Sequence, residues 1–164
     1  MKEIFKAFQA RIAAQVPAIK YTDFDLGQLE VENPPVSFPC SLLSFSGSTS
    51  VQVSADNDAE TLVVEIVIAF RLRERTSSVA TDTYRDQAID HIDTVTAVRQ
   101  ALSGLDGASF TPLTYRGFVL ERRADLRVYR QRYESTFFEQ PAADDFIPWP
   151  NDTGPDFCVH PDIQ

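Results

Sequence analysis

The stretch "TLVVEIVIAFRLRER", Thr61 to Arg75, decides the fold. Leu62, Val64, Ile66, Ile68, Phe70 and Leu72 recur at every second position, with Glu65, Arg71 and Arg73 between them. A period of two puts the first set on one face of an extended chain, so the segment predicts a strand with a buried side. Something else in the chain must cover that side.

Upstream, "SGSTSVQVSADNDAE" (Ser46 to Glu60) is polar and turn-rich, and predicts a long hairpin arm or a mobile loop. "VSFPCSLLSF" (Val36 to Phe45) predicts a strand, in which Pro39 lacks a ladder donor and suits an edge or a bulge. "IKYTDFDL" (Ile19 to Leu26) predicts a short strand, and "GQLEVENPP" after it a loop. Residues 2–16 predict a helix, with Ile4, Phe5, Phe8, Ile12 and Val16 on one stripe and Pro17 as its stop.

Downstream, Thr83 to Ser103 predicts a second helix. Thr83 and Asp86 resemble a capping box, Tyr84, Ala88, Ile92, Val95 and Leu102 form the stripe, and Gly104 follows. Strands are predicted over Leu113 to Arg122 and Leu126 to Phe138. The expected fold is α+β, in the order α-β-β-β-α-β-β, with two helices on one face of a mostly antiparallel sheet. Residues 1–139 form the core domain, and 140–164 an extended arm.

The 164 residues suit a single domain with a real core. No apolar run approaches the roughly 20 residues of a membrane-crossing helix, and the N-terminus alternates charged and apolar residues, so a cytoplasmic protein is expected. Cys40 and Cys158 make at most one disulfide and are more simply read as free thiols. The net charge of −9 is uneven: five aspartates and no Lys or Arg follow Glu139. Such a balance opposes nonspecific DNA binding by the surface as a whole.

Motifs for catalysis are scarce. His91 and His160 are the only histidines, and no nucleophile elbow, phosphate loop or dinucleotide fingerprint occurs. Asp86, Asp90 and Asp93 share a helical face beside His91. That set can ligate a hard cation or serve a hydrolase or nuclease, but it also reads as the solvated, acidic first half of a helix. Cys158 and His160 lack the second ligand pair of a structural zinc. The expectation is a protein without enzyme activity, cofactor, metal or small-molecule substrate.

Arginine is the informative residue. Nine of the twelve arginines, among them Arg71, Arg73, Arg130 and Arg132, lie on or beside three predicted strands, and each of these two pairs shares an outward face. That face has three readings: solvated surface, protein interface, or contact with phosphates. Arginine enrichment and the acidic C-terminal segment favour the interface among the functional ones.

The opening "MKEIFKAFQARIAAQVPAIKYTDFDLGQLE", the "PPVSFPCSLL" after it and the closing "VYRQRYESTFF" resemble small proteins of tailed-phage and prophage structural modules. Over about residues 1–139 the element order is similar to the tail terminator, or tail-completion, family of long-tailed phages. The resemblance implies a hexameric ring without an active site, which caps the tail tube and presents a surface to the head connector while DNA passes through its channel. It implies a virion location after assembly in the host cytoplasm. A neck or head-tail connector protein is the neighbouring reading, and a non-viral adaptor binding through its C-terminal arm is the third.

That arm, "PAADDFIPWPNDTGPDFCVHPDIQ" (Pro141 to Gln164), has five prolines that exclude a regular core element. Extended at about 3.1 Å per residue it spans on the order of 70 Å. Phe146, Ile147, Trp149 and Phe157 are unusual in a solvated tail and predict an anchor that docks on its own core, a neighbouring subunit or a partner.

Overall fold

Strand β3 (Asn57–Arg71) lies at the centre of a five-stranded sheet because both of its faces are apolar. Leu62, Val64, Ile66 and Ile68 are buried on the face read from the sequence, and Val67 and Ala69 are buried on the other. The structure is a computed structural model that describes residues 2–54, 57–71, 82–123 and 125–138. Helix α1 (Lys2–Gln15), β1 (Tyr21–Phe24) and β2 (Cys40–Ser54) precede β3; α2 (Asp82–Leu102), β4 (Thr114–Arg123) and β5 (Leu126–Phe138) follow it. The order across the sheet is β1-β2-β3-β5-β4, antiparallel except for the short parallel pair of β1 with β2. The α+β class and the α-β-β-β-α-β-β order are as the sequence predicts.

Both helices pack on one face. Ile4, Phe8, Ile12 and Val16 meet Val98, Ala101 and Leu102 over Leu43, Val64, Ile66, Ile68, Tyr129 and Tyr133. Removing such side chains from water stabilises by about 1.5–3 kcal/mol each. Phe5, on the margin of the α1 stripe, stacks on Phe24 with ring centroids 3.8 Å apart. Polar bonds fix where the helices sit. The Gln131 amide nitrogen donates to the Val95 carbonyl of α2 at 2.8 Å, and the buried Tyr133 hydroxyl donates to the Gln131 amide oxygen at 2.7 Å. Glu3 of α1 accepts from the Ala108 backbone N–H and the Ser109 hydroxyl, which lowers its pKa.

Several boundaries differ from expectation, while the hairpin arm agrees with one of the two readings of its segment. The strand expected from Val36 begins at Cys40, so Pro39 precedes the ladder instead of interrupting it. The Ser46 to Glu60 segment is a hairpin arm, with pairs running out to Ser54↔Asn57. Helix α2 starts at Asp82, which places Thr83 inside its first turn rather than at a cap. Strand β1 is only the middle of the predicted segment.

The second face is not simply open. Leu29, Cys40, Leu42, Val67, Ala69, Leu126 and Val128 form a smaller core there, with Tyr21, Val36 and Phe38 packed against it. The chain between β1 and β2 therefore covers half of the outer face. Burial pushes the Cys40 thiol up to about 11, so it behaves as a small apolar side chain.

Candidate assembly interface

The outer face beyond this small core carries the arginines picked out by alternation. Glu65 is buried on β3 opposite Arg132. Its carboxylate accepts from Arg132 Nε at 2.7 Å and Arg130 Nη1 at 3.0 Å. Arg130 Nε also donates to Glu121 at 2.9 Å, Glu121 accepts from Arg123 at 3.3 Å, and Arg123 reaches Glu30 at 2.5 Å. Carboxylates and guanidiniums thus alternate across three strands and a turn.

Titration follows from that alternation. Burial pushes the Glu65 carboxyl up, but hydrogen bonds from Arg132, Arg130 and Ser46 outweigh it and leave the group below its ordinary 4.5. The bond from Arg130 holds Glu121 low against the opposing effect of burial. Burial works against the Arg130 charge, while Glu121 and Glu65 raise its pKa overall.

Arg71, Arg130 and Arg132 all stand on the face that alternation assigned them, and each has a carboxylate within 3.9 Å. Arg71 also lies over the Phe38 ring, 5.3 Å from its centroid. Arg116 meets Glu134 at 2.7 Å. Charge matched in this way supplies no positive stripe for phosphates among these residues. Arg73 and the arm residues Phe146, Ile147, Trp149 and Phe157 lie outside the described residues, as do Cys158 and His160.

Of the helical Asp/His set, Asp90, His91 and Asp93 are described. His91 packs against Phe70 and Tyr129, with its Nε2 at 2.9 Å from the Tyr129 hydroxyl and 2.8 Å from Arg127 Nη1. Asp90 and Asp93 are exposed, and the Asp86 side chain is outside the described ones. Among the described residues no group of three or more His, Cys, Asp or Glu is placed to hold a metal ion.

The sheet edges hold what the sequence reading missed. Strand β4 is outermost, and its consecutive Phe118, Val119 and Leu120 are 56%, 51% and 43% exposed. Ile89 and Ile92 of α2 are also exposed, and they flank His91, which shares Tyr129 with Phe118 as ring neighbours. Phe118 and Leu120 of β4 therefore lie on the helix-covered side of the sheet, and Val119 on the other. At the opposite edge, β1 pairs with β2 only at Cys40 to Leu43, so among the described residues the outer edge of β2 from Ser44 to Ser54 has no ladder partner. The sequence signal was "FVL" between Arg116-Gly117 and Glu121-Arg122: three successive apolar residues put apolar side chains on both faces of the strand, the pattern of a strand covered on both sides.

No protein-family model and no curated protein matches the chain significantly. Among solved structures it is similar to a chain of the "Virion of native gene transfer agent (GTA) particle", with a TM-score of 0.48 and 14% identity over 82% of this chain and 94% of that one.

Proposed function

We propose that this chain is a structural virion protein of the tail terminator kind. Its subunits form a ring, with hexamer the expected number, that caps the tail tube, meets the head connector and leaves a channel for DNA. The observation that carries the reading is the pair of edges on opposite sides of one sheet that have no ladder partner among the described residues, with apolar side chains along β4. A free apolar edge is a liability in a monomer, because its unpaired N–H and C=O groups template further pairing. Two unlike edges make head-to-tail contacts, and such contacts close into rings when the rotation between subunits permits. The element order, which resembles that of tail terminators, supports the assignment to the end of the tail.

The work of such a protein is geometric rather than catalytic. The arm residues Phe146, Ile147, Trp149 and Phe157 serve as an anchor on a neighbour or partner, and the ion-paired Arg130 and Arg132 form part of the contact surface. Native mass measurement of the full chain, alone and with tube protein, tests this. A ring, or co-assembly with the tube, is expected. A protein that stays monomeric at every concentration and binds neither tube nor connector would sink the reading.

A further inference from the structure

Among the described residues the outer edge of β4 has no ladder partner, and its apolar run Phe118 to Leu120 is exposed. We infer that Thr114–Arg123 of one subunit pairs with the free β2 edge, Ser44–Ser54, of a second copy, so that one sheet continues into the next. This inference rests on the assembly reading above and names the contact that reading needs.

Length and chemistry match. Strand β4 is ten residues long and the free stretch of β2 is eleven, and neither contains proline. Between their register slips, Gly47 to Gln52 of β2 and Gly117 to Arg123 of β4 each offer a regular row of backbone donors and acceptors. Ser44 to Ser54 carries no charged residue, and neither does Gly117 to Leu120, so pairing their middles buries no ion. The C-terminal segment fits less well: Pro141, Pro148 and Pro150 cannot donate to a ladder, and only six residues separate the first two.

Strand direction agrees. Across β2, β3, β5 and β4 each pair is antiparallel, so β2 and β4 run in opposite senses. A rotation about an axis near the strand direction preserves each sense and brings β4 against the next subunit's β2 antiparallel. The two edges are offset along the sheet by about six residues, since β4 lies level with Val63 to Arg71 of β3 and the free part of β2 with Asn57 to Glu65. Six residues are about 20 Å, and four strands are about 19 Å wide. Matching the edges therefore tilts the strands by about 45°, near the range at which sheets close into barrels. Centring the two edges puts Val119 opposite Thr49, and intrasubunit register places both on the outer face of the sheet.

Cysteine pairs test the contact in the assembled full-length protein. In a Cys158→Ser background, Val119→Cys with Thr49→Cys should give a ladder of covalent multimers on mild oxidation, and either substitution alone nothing beyond a dimer. Val119→Lys should weaken assembly at least 10-fold while the thermal midpoint moves by only a few degrees, because the side chain is half exposed. A ring that persists by native mass without a ladder overturns the edge pairing and leaves the assembly reading intact. Cross-linking of Val119→Cys to Trp149→Cys in place of Thr49→Cys assigns the edge to the C-terminal segment and likewise overturns it. A protein that never assembles removes both.

Discussion

Glu65 shows how one residue sets the character of a face. Its burial would ordinarily favour the neutral acid, yet two guanidiniums hold it ionised. Because the folded pKa is below 4.5, the stabilisation is fully present above that value and is lost as pH falls through the lowered one. Glu65→Gln should lower stability by about 1–3 kcal/mol at neutral pH, since Arg130 and Arg132 lose a charged acceptor while Arg132 remains half solvated. Its loss should shrink below pH 4.5, which urea denaturation across pH 3 to 7 will show. Tyr133→Phe strands the Gln131 oxygen in the core and should cost about 1–2 kcal/mol. An unchanged urea midpoint would mean that the bond contributes nothing net.

At the scale of elements, β4 is bent where it leaves the core. The register slips between Tyr115 and Gly117, and Gly117 has φ 132°, a backbone state that side chains rarely adopt. Bulges of this kind increase local twist and re-aim the strand beyond them, here the exposed Phe118 to Leu120. Gly117→Ala should therefore destabilise by about 1–3 kcal/mol through backbone strain alone, because a Cβ there meets open space. Thermal unfolding reads this directly, and a stability equal to that of the parent would show that the slip relaxes at no cost. The matching slip in β2, between Phe45 and Gly47, lies where its free edge begins.

For the whole molecule, the helices and the β1–β2 connection bury one face of the sheet and part of the other, and among the described residues the two edges have no ladder partner. Such a distribution supports the proposed assembly through those edges. Deleting residues 140–164 should leave the helix and strand content of the core intact, because the described members of both hydrophobic clusters all precede residue 138. The same truncation should weaken assembly if the apolar arm anchors a neighbour. Circular dichroism and native mass separate these effects, and a truncated chain that assembles at parental concentration would make the arm dispensable.

The sequence by itself determined the elements and their order, because period-two and period-3.6 patterns such as Leu62 to Phe70 and Ile4 to Val16 record which side of each element avoids water. It also determined the strand face of Arg71, Arg130 and Arg132, since alternation is local. Only the tertiary structure decided what those arginines meet. Glu65, Glu121 and Glu30 come from distant strands and a turn, and no local pattern encodes a cross-strand partner. It also decided that β4 is an edge and that Val36 and Phe38 cover Val67 and Ala69. Strand order is set by which apolar surfaces fit together over long sequence separations, and exposure at an edge is a property of that order rather than of the strand.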